Sequence, residues 1–93
     1  MANILVVDDE QSIREMLEIY LMREGHEVIC EENGEKALAL CKKTSFDVVI
    51  SDIKMPMMDG MTLLNRVKEL SPDTIFIMIT AFASFETAKE AEH

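Results

Sequence analysis

Short apolar runs alternate with longer amphipathic segments along this chain. The runs are NILVVDD at 3–9, HEVICEE at 26–32, FDVVISD at 46–52 and TIFIMIT at 74–80. The first and third are largely aliphatic and β-branched up to their final aspartates, which is typical of strands buried on both faces. Strands that alternate with helices form βαβ units, with a parallel sheet between two layers of helices. The pattern therefore predicts a doubly wound α/β fold.

The segments between the runs have the periodicity of helices. Their apolar residues at helical spacing are Ile13, Met16, Leu17, Tyr20 and Leu21 in the first segment, Ala37, Leu38 and Cys41 in the second, and Leu63, Leu64, Val67 and Leu70 in the third. We predict that Asp9 or Ser12 caps the first helix and that Gly25 ends it. Ser84 is the expected N-cap of a fourth helix, ASFETAKEAEH at 83–93.

The composition fits one globular domain that spans residues 1–93. Apolar residues make up 48% and charged residues 29% of the sequence, an ordinary mixture for such a domain. The formal net charge of −9 at pH 7 argues against a direct nucleic-acid surface and favours cations or basic protein faces. Cys30 and Cys41 lack metal-ligand or redox spacing, and no apolar run is long enough to span a membrane. We therefore expect a cytoplasmic protein.

Acidic residues end two of the predicted strands. Asp8 and Asp9 close the first strand, and Asp52 closes the third. The carboxyl ends of parallel strands meet at one edge of the sheet, where ligand sites of α/β folds form. If the two strands are neighbours, their backbones lie about 4.8 Å apart. Two carboxylates about 4–5 Å apart then repel by roughly 3–4 kcal/mol at an effective dielectric constant of about 20.

Such a cluster needs a cation or a shared proton. Mg²⁺ fits because it accepts a few carboxylates and completes its shell with water and phosphate oxygens. A carboxylate beside bound Mg²⁺ is also placed to attack a phosphoryl group. Any one of the aspartates could instead be a helix cap or a loop residue, but the three together favour a metal site. Thr80 ends the fourth run at the same edge, where its hydroxyl could donate to a phosphoryl oxygen.

Three motifs resemble the receiver domain of bacterial two-component response regulators. They are VVDDE at 6–10, VISDIKMPMMDG at 49–60 and IMITA at 77–81. The second motif is most similar to receivers of transcriptional regulators, including the nitrogen-regulation type. The resemblance runs through nearly all of the chain. It implies a flavodoxin-like receiver fold, strand order 2-1-3-4 in this chain, and a phosphoacceptor signalling module rather than an enzyme.

The resemblance also assigns roles to residues. It makes Asp52 the phosphoacceptor, and it makes Asp8 and Asp9 ligands of Mg²⁺ together with Asp52, with Asp9 the more direct ligand. The backbone carbonyl of Lys54 supplies a further metal ligand, and Thr80 is the switch hydroxyl. The remaining matches are Met55-Pro56 and Gly60, which shape the loop after Asp52, and Ala81, which leaves room for phosphate access.

The resemblance implies two partners, a sensor histidine kinase as phosphodonor and a linked or separate output domain. Receivers also have a fifth strand that ends in a lysine and carries an aromatic switch residue, and a fifth helix follows it. Lys54 and Lys89 do not occupy that lysine's place, so we expect a truncated receiver without the fifth strand and fifth helix. Labelling by phosphodonors should then be slow.

Truncation also predicts self-association. The run TIFIMIT would become an edge strand without a charge or a proline to block pairing. We expect a homodimer or a larger assembly, formed by edge pairing or by exchange of the terminal helix. Two alternatives stay open: a non-signalling fragment that only self-associates, and a Mg²⁺-dependent phosphatase with an aspartyl nucleophile. The phosphatase would need a second acid two residues after the nucleophile, where this chain has Lys54.

Overall fold

Four parallel strands alternate with three helices in the computed structural model, which describes residues 1–79 of the chain. The elements are β1 (Asn3–Val7), α1 (Gln11–Arg23), β2 (Glu27–Glu31), α2 (Gly34–Lys43), β3 (Val48–Asp52), α3 (Gly60–Leu70) and β4 (Ile75–Ile79). The predicted fourth helix with its cap Ser84 lies outside the described residues, as do Thr80, Ala81 and Lys89.

The four strands form one sheet in the order β2-β1-β3-β4, and every neighbouring pair is parallel. The chain therefore moves outward from β1 to β2 and then returns across β1 to β3. Because right-handed crossovers in opposite directions place their helices on opposite faces, α1 covers one face and α2 and α3 cover the other. This arrangement confirms the predicted doubly wound α/β fold and the strand order 2-1-3-4.

The alternating side chains of the central strands feed two apolar clusters. The cluster beneath α2 and α3 contains Leu5, Val7, Ala37, Phe46, Val49, Met55, Leu63 and Val67. The cluster beneath α1 contains Ile4, Val6 and Ile50, with Leu17 and Leu21 of α1 packed against it. Strand β1 is therefore buried on both faces, as its sequence predicts.

Helix α1 differs from the prediction in its packing. Met16 and Tyr20 are 57% and 62% exposed, whereas Leu17 and Leu21 contact the core. The physical reason is that α1 is the only described helix on its face of the sheet, so it buries a narrow stripe and leaves its flanks open. Leu70, the last residue of α3, is likewise exposed.

The cap predicted for α1 is also wrong. The N-cap is Glu10, without a side-chain hydrogen bond to the helix, so neither Asp9 nor Ser12 caps it. Asp8 instead stabilises the turn before the helix, because its Oδ1 atom accepts a hydrogen bond from the Glu10 N–H at 2.9 Å. At the other end, Gly25 follows the helix in a left-handed conformation with φ of 90°, which agrees with the prediction that it ends the helix.

Strand β4 lies at the edge of the sheet formed by residues 1–79. Its register pairs Ile77 with Ile50, so Ile75 and Ile77 face the α1 side of the sheet. They are 59% and 43% exposed because α1 covers β1 and β2 and does not reach this edge. Phe76, on the opposite face, packs against the cluster beneath α2 and α3.

Candidate metal centre

The ends of β1 and β3 bring the three predicted aspartates together. In the parallel register Val7 pairs with Ser51, so the next residues, Asp8 and Asp52, lie side by side at this edge of the sheet. Carboxylate oxygens of Asp8, Asp9 and Asp52 all lie within 4.8 Å of one another. The crevice expected from the sequence is therefore present at the carboxyl edge of the sheet.

The two sides of this cluster differ in burial. Asp8 is fully buried and Asp52 is only 3% exposed, whereas Asp9 is exposed to solvent. Oδ1 of Asp8 accepts the Glu10 N–H, but buried Oδ2 has no hydrogen-bond partner in the described part of the chain. A buried carboxylate oxygen without a partner carries a large desolvation cost, which a bound cation would offset. The cluster thus combines two buried carboxylates with one that faces solvent.

The electrostatics of Asp8 also favour a cation. Burial raises the pKa of the Asp8 carboxyl, and the negative charges of Asp52 and Asp9 add to the rise, while the hydrogen bond from Glu10 acts in the opposite direction. A divalent cation would reverse the effect of the neighbouring charges. Because carboxylate oxygens are hard ligands, the donor set suits Mg²⁺ or Ca²⁺ better than a soft metal.

The loop after Asp52 begins beside the site. The Lys54 N–H donates to Oδ1 of Asp52 over 3.4 Å, a long hydrogen bond, so the predicted ligand residue lies beside the cluster. Met55 is buried and anchors the loop in the core. Farther along, Met57 is left-handed with φ of 68°, and the Met58 N–H donates to the Pro56 carbonyl at 2.8 Å. These contacts form a tight turn in the segment that Met55-Pro56 and Gly60 are predicted to shape.

Steric crowding explains why a glycine stands at position 60. A Cβ atom there would collide with the carbonyl oxygen of Asp52 and would lie 2.6 Å from Sδ of Met78 and 3.0 Å from Cα of Ile53. The Gly60 N–H also donates to the Ile53 carbonyl at 2.8 Å, which closes the loop at its base. Helix α3 can therefore begin directly against the backbone of Asp52 only because residue 60 has no side chain.

Arg14 contacts the site although the sequence reasoning did not single it out. Its Nη1 atom donates to the backbone carbonyl of Asp8 at 2.6 Å, which ties α1 to the acidic turn and places a positive charge near it. The signal available in the sequence was an arginine in the first turn of the helix that follows the aspartates. Thr80, the remaining predicted site residue, lies outside the described residues.

The fold and the acidic edge together define an α/β domain whose ligand site lies where its two central strands end. The family model of the response regulator receiver domain matches residues 4–93. The chain belongs to this family. It is a receiver domain of a response regulator, a module that transduces signals by phosphorylation.

Named relatives agree with this assignment. The chain is 43% identical to the regulatory protein AtoC of Escherichia coli, over 95% of this chain and 19% of AtoC. It is 40% identical to the transcriptional regulatory protein ZraR of Salmonella typhimurium, over 96% of this chain and 20% of ZraR. The chain thus spans about a fifth of the length of these two relatives.

Solved structures show the same fold. Chemotaxis protein CheY4 of Vibrio cholerae superimposes with a TM-score of 0.82 at 39% identity, covering 99% of this chain and 78% of CheY4. A chain from the complex of histidine kinase ThkA with response regulator protein TrrA gives a TM-score of 0.82 at 40% identity, covering 91% of this chain and 73% of that one. Within residues 1–79, no helix combines the length and apolar character needed to cross a membrane.

Proposed function

We propose that this domain accepts a phosphoryl group on Asp52 in a Mg²⁺-dependent reaction and thereby controls an output domain. The observation that carries the proposal is the meeting of Asp8, Asp9 and Asp52 within 4.8 Å at the ends of two central strands. Family membership supports phosphorylation as the signal. Two points are proposals: that Asp52 is the residue that takes the phosphoryl group, and that the metal is Mg²⁺.

Asp8, Asp9 and Asp52 would hold Mg²⁺, with the Lys54 backbone carbonyl as a further ligand. Support comes from the all-oxygen donor set and from Oδ2 of Asp8, which is buried and unpartnered among residues 1–79. When bound, Mg²⁺ would supply charge neutralisation for the cluster and for the oxygens of an incoming phosphoryl group. Asp9, as the exposed member, would be the first carboxylate that an arriving ion meets.

Asp52 is the acceptor best supported by position. It is the last residue of β3, it is buried, and its Oδ1 accepts a hydrogen bond from the Lys54 N–H. In the proposed step a carboxylate oxygen of Asp52 attacks phosphorus and forms an acyl phosphate. The bond between phosphorus and the donor's histidine nitrogen breaks, and that nitrogen keeps the electron pair. Burial of Asp52 would limit access of water to the product.

The proposed phosphodonor is a sensor histidine kinase. The complex of ThkA with TrrA, which includes a chain 40% identical to this one, supports this choice. An output domain is proposed because AtoC and ZraR, a regulatory and a transcriptional regulatory protein, are about five times as long as the matched region. Thr80 is proposed as the switch hydroxyl on its motif alone. A phosphoacceptor of this kind is a cytoplasmic signalling module and not an enzyme in its own right.

A second copy of the chain is proposed to cover the face of β4 that lies on the α1 side of the sheet. Ile75 and Ile77 are 59% and 43% exposed there, and contiguous exposed apolar surface favours association. The expected assembly is a homodimer or a higher oligomer. The phosphatase alternative has less support, because Lys54 stands where a second acid would be needed.

Labelling with acetyl phosphate tests the proposed acceptor. We expect intact-mass spectrometry to show addition of one phosphoryl group in Mg²⁺, none in EDTA and none in Asp52→Asn. The matched control is Asp47→Asn. Asp47 is an exposed aspartate directly before the first residue of β3, at the end of the strand away from Asp52. Equal labelling of the parent and Asp52→Asn would refute the proposal.

A further inference from the structure

The loop that follows Asp52 rests on the first residue of α2. Gly34 is buried, and a Cβ atom at this position would lie 3.0 Å from Cβ and 3.1 Å from both Cγ and Sδ of Met58. Gly34 does not have a positive φ, unlike Gly25. Glycine at position 34 therefore provides space for Met58 rather than a special backbone conformation. Any side chain there would have to push Met58 away.

Met58 belongs to the strained part of the loop. It follows Met57, whose φ of 68° is unusual for a residue with a side chain, and its own N–H closes the turn onto Pro56. Such a conformation persists only when surrounding contacts hold it. Met58 is half-buried against the core cluster beneath α2 and α3, and Met55 is buried in the same cluster. The loop is thus held at two points, one on each side of the turn.

We propose that Gly34 is a positioning residue for the acidic site. By allowing Met58 to pack against the start of α2, it fixes the course of residues 53–59 and so the place of Lys54 beside Asp52. This inference rests on the proposed function, in which Lys54 supplies a metal ligand. Mg²⁺ demands near-ideal octahedral geometry at short ligand distances, so a loop displaced by a few tenths of an ångström would bind it less well.

Two alanine substitutions separate positioning from stability. Gly34→Ala should lower Mg²⁺ affinity by about tenfold, the lower range for groups that orient a ligand, while alanine suits the helix itself. The matched control is Gly25→Ala, where a Cβ meets open space but the left-handed backbone is strained. That variant should melt at a lower temperature and bind Mg²⁺ like the parent. The readouts are a Mg²⁺ titration followed at the Lys54 and Asp52 amides by NMR, and thermal melting.

Met58→Ala keeps the test decisive if Gly34→Ala does not fold. Removing the Met58 side chain beyond Cβ should loosen the loop and lower Mg²⁺ affinity severalfold. In Gly34→Ala/Met58→Ala the two losses should be less than additive, because both substitutions disturb one contact. If the parent binds Mg²⁺ and either single variant binds it equally well, the inference is overturned. If the parent does not bind Mg²⁺, the proposed function fails and the inference falls with it.

Discussion

Asp8 and Asp52 stand side by side at the ends of the two central strands, with carboxylate oxygens within 4.8 Å of each other. Asp8 is fully buried, and its Oδ2 atom lacks a hydrogen-bond partner among the described residues. Two carboxylates in such a place weaken the fold when no cation is present. The pair therefore lowers the stability of the fold, and a bound cation would offset this cost.

Asp8→Asn should stabilise the protein in Mg²⁺-free buffer. The amide removes one buried negative charge, and its oxygen can still accept the Glu10 N–H, so the free energy of unfolding should rise by on the order of 1 kcal/mol. Added Mg²⁺ should raise the melting temperature of the parent but not of this variant. Urea denaturation with and without Mg²⁺ measures both effects. A lower free energy of unfolding for Asp8→Asn without Mg²⁺ would contradict this view of the pair.

Asp9→Ala should abolish the Mg²⁺-dependent amide shifts around the cluster. Asp9 is the exposed carboxylate of the three, so its loss should remove a ligand without disturbing the core. The control is Asp73→Ala. Asp73 is exposed and lies before the first residue of β4, at the edge of the sheet away from the acidic cluster, so its loss should leave the shifts intact. Mg²⁺-dependent shifts in Asp9→Ala equal to those of the parent would remove Asp9 from the site.

Gly60→Ala should be strongly destabilising. The added methyl group would meet the Asp52 carbonyl and the Met78 side chain, and a collision with backbone cannot be relieved by a rotamer change. Overpacking of this kind costs about 1–3 kcal/mol or more. Met61→Ala, at the exposed next position of the same helix, should change the free energy of unfolding by only about 0.5 kcal/mol or less. Equal urea midpoints for the two variants would argue against the close approach of α3 to Asp52.

The Cys30 thiol should make stability fall at alkaline pH. Burial, together with the charge of Glu18 and the hydrogen bond to it, raises the pKa of Cys30 from 9.0 to about 11. The unfolded chain ionises first, so the folded protein binds more protons in this window and its free energy of unfolding decreases as pH rises from 9.0 to about 11. Cys30→Ser, which does not titrate there, should show a smaller decrease in urea denaturation. If the free energy of unfolding fell equally with pH in the parent and in Cys30→Ser, the raised pKa of Cys30 would be contradicted.

Much of the fold follows from local sequence patterns. The buried strands and the aspartates at their ends are encoded within runs such as FDVVISD, and right-handed crossovers then leave few ways to order the strands. The meeting of Asp8 and Asp52 follows from that order, because parallel strands end at one edge. The strand order itself came from the resemblance to receiver domains, because the sequence pattern alone left open whether β1 and β3 are neighbours.

Other features depend on neighbours that local patterns do not specify. Met16 and Tyr20 fit a helical stripe, yet they are exposed because no other described helix flanks α1. The contact of Gly34 with Met58 joins residues far apart in the sequence, and the bond from Arg14 to the Asp8 carbonyl depends on a side-chain conformation. Such contacts follow from three-dimensional packing rather than from periodicity or spacing.

Locating the phosphoryl group decides whether Asp52 is the acceptor. The chain would be incubated with acetyl phosphate and Mg²⁺ and then treated with borohydride, which reduces an aspartyl phosphate to homoserine. Peptide mass spectrometry then reports the position of the converted residue. We predict homoserine at position 52 and nowhere else. Conversion at Asp8, Asp9 or any other aspartate, with Asp52 unmodified, would contradict the proposed function.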